Sequence, residues 1–505
     1  MLSKSKFILG QQCHKSLWLD IQKVKPTNPL DHSSENRLRA GNEVGEEAKK
    51  LFPGGEDIPF ISGAKGYQKM CALTREAIES GSTTIYEASF IENDVFIRID
   101  IMNLSQEGWD IYEVKSSTKL HSYHKEDASL QWQVLDKVSG LKLNKVFVVT
   151  LNKSYIKNGD IEPKKLFSFH DLSDFVLTRQ ADITGQLNKV KSVARSKIEP
   201  KVDIGSHCSK PHGCKYFDRC WPKNFKDNNS IFRLYQLRLN KKMDLFNSGI
   251  DVFEKIKPET MLKPSSKYYK IQSNQIKANQ ILEPIVDKSK LSSFINSVKY
   301  PISYFDFEAF SDAVPVFDGQ KPHMQMAFQY SLHIQKDNRC KLEESSSHFE
   351  FIAPLDEDPR RAIAESMLEK FPKSGTIMAF YKTYEMARIK ELANHLPDLA
   401  SDLLKLNERF IDLKDPFSQG AYYHHAFGGS FSLKDVLPAL CPNDDRLDYE
   451  KLDINNGLQA SGAYQEMRNQ TKEEALKTRK KLLEYCRLDT YAMYAIYSKL
   501  LEAMD

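Results

Sequence analysis

The sequence predicts a multidomain protein of the α/β class, and three observations support this prediction. The chain has 505 residues, which at about 150 residues per domain is too long for one small module. Hydrophobic residues make up 41% and aromatic residues 11% of the chain, which is enough to bury more than one core. Strand-like runs and helical patterns both occur in the first and in the last part of the chain.

Changes in pattern divide the chain into three segments: 1–224, 225–298 and 299–505. The first opens with a helical pattern and continues into short strand-like runs, so we expect a mixed domain there. The second has apolar residues at helical spacing and then a polar, Lys-rich stretch, which predicts a mainly helical, basic bridge. The third starts with the strand-like YPISYFDFEAF and ends in a helical pattern at 472–503, so we expect a second mixed domain.

Charge and hydropathy exclude several classes of protein. Lys and Arg number 72 and Asp and Glu 68, a formal net charge of +4, which is too small to attract a polyanion over the whole surface. No apolar run approaches the roughly twenty residues of a membrane-spanning helix, and the apolar run at 7–9 is shorter than a secretory core. We therefore expect a cytoplasmic protein with no membrane partner.

Two adjacent strands are expected to bring carboxylates and an ammonium group together. In VFIRIDIM, alternation directs Asp100 away from the face that carries Ile97 and Ile99. In WDIYEVK, Glu113 and Lys115 are two residues apart and project to the same side. Two carboxylates can hold Mg²⁺ while the Lys orients a water molecule, an arrangement that serves phosphodiester hydrolysis. An ordinary surface hairpin with an ion pair is the alternative.

Strand, turn, strand and then a helix that carries Gln131 resembles the PD-(D/E)XK nuclease superfamily, in its RecB-like branch. The resemblance implies a restriction-endonuclease-like core in which Asp100, Glu113, Lys115 and Gln131 form the active site and Asp100 and Glu113 hold the metal. RecB-like enzymes often have a metal-binding His on the first helix. This sequence departs from that pattern, with Gly45 at the matching position.

Four cysteines form a second candidate site: Cys13, Cys208, Cys214 and Cys220. The last three lie within HCSKPHGCKYFDRCW, and this clustering is typical of ligands in a reducing compartment. Four thiolates suit a [4Fe–4S] cluster or a tetrahedral Zn²⁺, and the spacing alone leaves both open. Some RecB-like exonucleases join the ends of their domain with one early and three late Cys on an iron–sulfur cluster. The similarity to that order implies a [4Fe–4S] cluster, with structural Zn²⁺ as the alternative.

A third set of acidic residues is spread over the last segment. Asp306 and Glu308 share one face of the strand YFDFEAF, and Tyr485 and Asp489 are four residues apart on the final helix. Between them, Glu385 follows the strand-like start of AFYKTYEMARIKELA. Acidic side chains from separate elements are what a two-metal site needs, and a tyrosine hydroxyl could orient the attacking water. A solvated strand edge is the alternative for the first pair.

The order of these residues resembles the DEDDy branch of the ribonuclease H-like 3′–5′ exonucleases. The resemblance implies a ribonuclease H-like core in which Asp306, Glu308, Glu385 and Asp489 hold metal and Tyr485 assists. The third acid is usually Asp, so Glu385 is a departure. The whole arrangement is similar to a bacterial family that fuses a RecB-like nuclease, a Cys cluster and a ribonuclease H-like domain.

These patterns predict a nuclease dependent on Mg²⁺ or Mn²⁺ that acts on DNA ends or single strands, with RNA not excluded. Lys and Tyr are interleaved at 263–270, as Lys263, Lys267, Tyr268, Tyr269 and Lys270. They offer charge for phosphates and rings for bases, although a solvated linker is the default. A nucleic-acid-binding adaptor of a repair or defence complex, with one or both sites inactive, is the alternative function. A metal-stapled scaffold for other proteins is a third hypothesis.

Overall fold

The computed structural model describes residues 1–28, 32–339, 341–342, 347–355 and 357–504, with the backbone alone at 32–35. The chain forms two compact units, one of Met1–Trp221 with Asp312–Met324 and one of Pro222–Ser311 with Gln325–Asp505. Both units contain helices and a mixed sheet. The expected α/β, multidomain class is therefore confirmed, whereas the division at 224 and 298 stays a prediction.

A mixed sheet of seven strands forms the centre of the first unit. The strands are β1 (Leu2–Ser3), β2 (Glu56–Asp57), β3 (Thr84–Glu92), β4 (Val95–Leu104), β5 (Trp109–Lys115), β6 (Leu143–Leu151) and β7 (Phe167–Asp171). Their order is β2-β3-β4-β5-β6-β7, and β1 pairs with β4 from the side. The pairs β2–β3, β5–β6 and β1–β4 are parallel, and the other pairs are antiparallel.

Helices cover this sheet. They are α1 (Lys4–Gln12), α2 (His14–Ile21), α3 (His32–Lys49), α4 (Gly63–Glu79), α5 (Ser122–Leu135), α6 (Pro163–Leu166), α7 (Ser173–Arg195) and α8 (Phe217–Cys220). Apolar side chains of α1, α2, α4, α5 and α7 share one core with β3–β6, and those of α3 and α6 share a second core with the same strands. The sheet is thus buried on both faces.

Strands β3 and β4 change face at their middle. Ile97 and Ile99 belong to one core and Ile101 to the other, although strict alternation would keep all three on one side. On β3, Glu87 lies opposite this irregular point and has a φ of +58°, a left-handed conformation that costs a non-glycine residue free energy. The irregularity lies beside Asp100. Periodicity alone therefore does not predict the face of β4 from which the Asp100 side chain projects.

A fork in the sheet opens next to the same point. β1 pairs with β4 at Val95 and Phe96, whereas β5 pairs with β4 from Ile101 to Leu104. Helix α1 follows β1 directly, so its first residue, Lys4, enters the fork between β4 and β5. The pairing of Leu2 and Ser3 with β4 thus places Lys4 beside the carboxylates of β4 and β5.

The second unit contains a five-stranded sheet and a small two-stranded one. The strands are β8 (Ile285–Val286), β9 (Ile302–Ser311), β10 (Gln325–Gln335), β11 (His348–Ile352), β12 (Thr376–Ala379), β13 (Phe410–Asp412) and β14 (Tyr422–Tyr423). The larger sheet has the order β11-β10-β9-β12-β13, with β11–β10–β9 antiparallel and β9–β12–β13 parallel. β9 is the central strand, and β8 pairs with β14.

The second unit contains helices, several of which pack on the two faces of its larger sheet. They are α9 (Leu239–Asn247), α10 (Pro258–Met261), α11 (Tyr269–Ile281), α12 (Lys288–Ser297), α13 (Pro359–Lys370), α14 (Thr383–His395), α15 (Ala400–Asn407), α16 (Asp415–Ser418), α17 (Leu433–Leu440), α18 (Gly457–Glu466) and α19 (Lys472–Glu502). Phe305 and Phe307 of β9 pack with α13, α14 and α15. Tyr304 lies in the core that α19 and α17 share, so the even-numbered residues of β9 face α19. Within the part of the chain that the structure describes, no helix has both the length and the apolar surface that a bilayer crossing requires.

Helix α1 is held close to α7 at Gly10, and a side chain there is expected to destabilise the first unit. A Cβ at Gly10 would lie 2.9 Å from a methyl carbon of Val190, so Gly10→Val should overpack this contact and cost about 1–3 kcal/mol. Gly185→Val is the matched control, because a Cβ at this helical glycine meets nothing within 4 Å. Denaturant unfolding of both variants measures the difference; equal stability would contradict the close approach.

Candidate functional site

Three clusters of polar side chains stand out, and the first, here called the Asp100 cluster, lies in the first unit. It contains Asp100 of β4, Glu113 and Lys115 of β5, and Gln131 of α5. Asp100 Oδ2 accepts a hydrogen bond of 2.6 Å from the Val114 backbone N–H. Gln131 donates its side-chain amide to Glu113 Oε2, and Lys115 donates to Glu113 Oε1. The four residues expected from the sequence therefore lie together, on three different elements.

Two further charged residues complete the Asp100 cluster, and neither was expected. Asp127 Oδ2 accepts a 2.7 Å hydrogen bond from Lys115 Nζ, and Lys4 Nζ lies 2.8 Å from Glu113 Oε1. Asp127 is four residues before Gln131 on α5, so helical spacing could have identified it. Lys4 gives no such signal, because its position depends on the pairing of β1 with β4.

Burial and charge set the protonation of the Asp100 cluster. Burial, with the neighbouring Glu113 carboxylate, raises the pKa of Asp100 to about 8. Burial acts in the same direction on Glu113, but Lys115 and Lys4 outweigh it and hold the pKa of Glu113 well below its usual range. Glu113 is therefore the ionised carboxylate of this cluster, and Asp100 holds its proton more firmly than an exposed Asp.

Two buried acceptor atoms of the Asp100 cluster lack a partner. Asp127 Oδ1 and Gln131 Oε1 accept no hydrogen bond within the described part of the chain, although buried acceptors are nearly always paired. Carboxylate and amide oxygens are the ligands that Mg²⁺ and Mn²⁺ prefer. The oxygen atoms of this cluster therefore fit a hard divalent cation.

The second cluster, the thiol cluster, consists of the four expected cysteines: Cys13, Cys208, Cys214 and Cys220. They line one cavity together with the apolar surfaces of Leu19, Tyr216 and Trp221. The backbone N–H of Cys214 donates to the carbonyl of Cys208 over 2.9 Å. Gln12 donates to the carbonyls of His207 and His212 over 2.8 and 2.7 Å, which ties the end of α1 to the late cysteine loop.

The distances between the cysteine sulfurs can be compared with those that Zn²⁺ and an iron–sulfur cluster require. Among the described residues, the four sulfurs include no set of three within 4.8 Å of one another. A tetrahedral Zn²⁺ at about 2.3 Å from each sulfur needs sulfurs roughly 3.8 Å apart. An iron–sulfur cluster, in which each thiolate binds a different iron, separates its ligands further. Four thiols around one cavity match the ligand set of either a [4Fe–4S] cluster or Zn²⁺, and their arrangement leaves both open.

The third cluster, here called the Asp306 cluster, lies in the second unit. Asp306 and Glu308 come from the α19-facing side of β9, and Asp489 comes from α19. One carboxylate oxygen from each of the three lies within 4.8 Å of the other two. Glu308 and Asp489 are buried, with exposed fractions of 6% and 5%. Three acids from a strand and a helix thus converge on one point.

Glu385 lies beside this group, in the first turn of α14. Its side chain is 2% exposed and its Oε2 atom accepts no hydrogen bond from the described residues. Its negative charge contributes to raising the pKa values of Asp306 and Glu308. Glu385 lies outside the group of three oxygens within 4.8 Å of one another. A buried carboxylate oxygen without a donor, close to Asp306 and Glu308, fits a site for divalent cations.

Two tyrosines and a lysine border the Asp306 cluster. Tyr485 lies one turn before Asp489 on α19, and the Tyr449 hydroxyl donates to Asp489 Oδ1. Lys434 Nζ lies 5.2 Å and 5.5 Å from the ring centres of Tyr449 and Tyr485. Tyr485 was expected, whereas Tyr449 and Lys434 were not. Tyr449 lies in a short 3₁₀ segment, where no periodicity marks a functional residue.

Burial keeps protons on the Asp306 cluster. Burial raises the pKa of Asp489 to about 6, although the hydrogen bond from Tyr449 opposes the rise. Burial also raises the pKa of Glu385 to about 8. For Asp306, burial and then the charges of Asp489 and Glu308 raise the pKa well above its usual range. These carboxyls resist ionisation until a positive charge joins them.

Comparisons with known proteins relate parts of this chain to proteins without a stated activity. Residues 303–432 match the family described as a domain of unknown function, DUF2779. The "Uncharacterized protein MG366 homolog" of Mycoplasma pneumoniae is 25% identical over 224 residues. That stretch covers 41% of this chain and 33% of the relative, so the chain spans about a third of the length of the curated relative it matches. The proposed function therefore rests on the geometry of the three clusters.

The metal-free protein is expected to lose stability as the pH rises from about 7 to about 8.5. Carboxyl groups of the unfolded chain have pKa values near 4, below the value of about 8 for Asp100 and for Glu385 in the folded protein. The folded state holds protons that the unfolded state has released, and this stabilisation is lost as the pH rises through the folded pKa values. Below about pH 7, buried histidines whose pKa values are lowered, such as His124 and His333, act in the opposite direction. At about 1.4 kcal/mol per pKa unit, the loss between pH 7 and 8.5 should be about 1–2 kcal/mol for each such carboxyl in thermal unfolding with EDTA.

Variants separate this effect from other titrations. Asp100→Asn and Glu385→Gln should flatten the pH dependence, and Mn²⁺ near pH 8.5 should raise the unfolding midpoint of the wild type. Glu484→Gln is the matched control, because Glu484 is an exposed carboxyl on α19. A wild-type midpoint that stays level or rises with pH would contradict the assignment of raised pKa values.

Proposed function

We propose that the protein is a metal-dependent nuclease that hydrolyses phosphodiester bonds of DNA. The convergence of Asp306, Glu308 and Asp489, with Glu385 unpartnered beside them, is the observation that carries the proposal. Buried acids that accumulate like charge are costly unless cations neutralise them. In this proposal the second unit is a ribonuclease H-like exonuclease domain and the first a PD-(D/E)XK domain of the RecB type.

At the Asp306 cluster, Mg²⁺ or Mn²⁺ would supply Lewis-acid activation of water and stabilise the attacking and leaving oxygens. Asp306, Glu308, Glu385 and Asp489 would hold the metal, because their oxygens are hard ligands of the right charge. In this proposal the Tyr485 hydroxyl, one turn before Asp489 on α19, would orient the attacking water. Tyr449 holds Asp489 by its hydrogen bond and so fixes the direction of one carboxylate.

At the Asp100 cluster, Asp100 and Glu113 would hold the metal. Lys115 donates to Asp127 over 2.7 Å and also to Glu113, so its ammonium is held against the two carboxylates. In that position it can orient a water molecule and offset negative charge on the scissile phosphate. Gln131 fixes the other oxygen of Glu113. This cluster has the parts of a second, separate hydrolytic centre.

The thiol cluster has a structural role in this proposal. Cys13, Cys208, Cys214 and Cys220 would bind a [4Fe–4S] cluster, with Zn²⁺ as the alternative. Joining Cys13 to the late cysteines closes a loop of about 195 residues and lowers the entropy of the unfolded chain. A thiolate-bound cluster suits a reducing compartment, which agrees with the expected cytoplasmic location.

A nucleic-acid-binding adaptor in a repair or defence complex is the second candidate function. One observation favours it: both oxygens of Glu113 already accept hydrogen bonds from protein donors, so the Asp100 cluster is neutralised without a metal. At the Asp306 cluster, Glu385 stands where the resemblance expects Asp, and this departure also favours the adaptor. In this alternative the protein binds nucleic acid but cleaves it at one site or at neither.

Asp306→Asn and Lys115→Met are expected to remove different cleavage activities. Each replaces a group that the proposed mechanism needs, and a general-base or electrostatic contribution is typically worth about 10²–10⁴ in rate. The measurement is a time course on end-labelled single- and double-stranded DNA with Mg²⁺ or Mn²⁺. Glu484→Gln and Lys119→Met, both at exposed positions, are the matched controls. Unchanged products with both active-site variants would defeat the two-centre proposal, and binding without cleavage in the wild type would favour the adaptor.

Cys214→Ser is expected to abolish a broad absorbance near about 400 nm that the purified wild type shows. Iron and acid-labile sulfide should fall with the absorbance, and the unfolding midpoint should fall too. Cys71→Ser is the control, since Cys71 lies outside the thiol cluster and lines another cavity. A colourless wild-type protein with one zinc per chain would overturn the iron–sulfur assignment.

A further inference from the structure

We infer that Lys4 is a resident cation of the Asp100 cluster and that it competes with the divalent metal for Glu113. The inference rests on the proposed function of that cluster and goes beyond it. It predicts that metal enters only as the Lys4 ammonium leaves. Metal binding at this site is then opposed by a side chain of the protein itself.

The coordination of Glu113 carries the inference. Lys4 Nζ lies 2.8 Å from Glu113 Oε1, which Lys115 also contacts. Gln131 occupies Oε2. A carboxylate has about four lone-pair sites, and a Mg²⁺ or Mn²⁺ ion binds one of its oxygens at about 2.0–2.2 Å. Lys4 and Lys115 together therefore bar a metal from Oε1.

Lys4 is the donor that is held least tightly. Gln131 is fully buried on α5, and Lys115 lies 2.7 Å from Asp127 Oδ2 whereas Lys4 lies 3.6 Å from it. The Lys4 side chain is 26% exposed, against 21% for Lys115, so solvent can receive it. A lysine has a long flexible stem and a strongly hydrated head, and both favour such an exchange.

The charge of the cluster agrees with an exchange. Three carboxylates, Asp100, Glu113 and Asp127, face two ammonium groups, Lys4 and Lys115, and Lys4 Nζ is also 3.6 Å from Asp127 Oδ2. Withdrawal of Lys4 removes one positive charge from beside Glu113 and Asp127, and an incoming divalent ion supplies two. Repulsion between an ammonium and a divalent ion a few ångström apart opposes simultaneous occupancy.

The position of Lys4 also connects the Asp100 cluster to the thiol cluster. Lys4 is the first residue of α1, and Cys13 directly follows its last residue. At about 1.5 Å per residue, the nine-residue helix spans roughly 13 Å. Gln12 anchors its far end through the carbonyls of His207 and His212. The Asp100 cluster and the thiol cluster therefore lie at the two ends of one helix.

Mn²⁺ titration of full-length variants tests the competition. Asp306→Asn with Asp489→Asn is the common background, so that the Asp306 cluster does not contribute, and bound Mn²⁺ is measured by electron paramagnetic resonance. Lys4→Met should bind Mn²⁺ at least about tenfold more tightly than the background protein, because one competing positive charge is gone. Lys4→Arg keeps the charge and should bind like the background. Lys6→Met, on the same helix and paired with Asp20 at 3.8 Å, is the matched control.

Chemical labelling of the wild type gives a second measurement that needs no variant to fold. An amine-reactive ester followed by peptide mass spectrometry should label Lys4 several-fold faster when Mn²⁺ is added, while Lys6 labelling stays constant. Equal or weaker Mn²⁺ binding by Lys4→Met, or Lys4 labelling that Mn²⁺ leaves unchanged while the ion binds, overturns the competition and leaves the nuclease proposal standing. Absence of Mn²⁺ binding to every protein in the set, Lys4→Met included, overturns the metal site of the Asp100 cluster and the competition with it.

Discussion

Mutual repulsion between buried carboxylates is the constraint on which the two acidic sites depend. Asp306, Glu308 and Asp489 come within 4.8 Å of one another, and burial removes the water that would screen their charges. The fold holds these groups together because β9 is the central strand of its sheet and α19 packs across it. Such an arrangement is stable only if protons or cations neutralise it.

The two acidic clusters meet this constraint in different ways. The Asp100 cluster carries its own positive charges, Lys4 and Lys115, and Glu113 is ionised as a result. In the Asp306 cluster Lys434 contributes to the potential at Asp489 and Glu308, but the carboxyls still have raised pKa values. A divalent cation is thus expected to bind with a more favourable free energy at the Asp306 cluster. At the Asp100 cluster it has to replace a positive charge that is already present.

The sequence predicted the parts of these sites that depend on local periodicity. Alternation along β9 gave the shared face of Asp306 and Glu308, and helical spacing gave Tyr485 with Asp489. Periodicity failed at the middle of β4, because the positive φ of Glu87 accompanies a change of face that no residue pattern announces. Lys4 and Tyr449 were missed for a related reason, since long-range pairing and an irregular segment bring them to their sites. The α/β class depends on the average pattern and was predicted correctly.

Anomalous X-ray diffraction from crystals soaked in Mn²⁺ tests the central claim most directly. The account predicts a strong anomalous peak bounded by the carboxylates of Asp306, Glu308 and Asp489, with Glu385 Oε2 turned toward the ions. Its loss in crystals of Asp306→Asn would assign the peak to these ligands. Manganese bound elsewhere on the protein, with none at this group of carboxylates, would contradict the account.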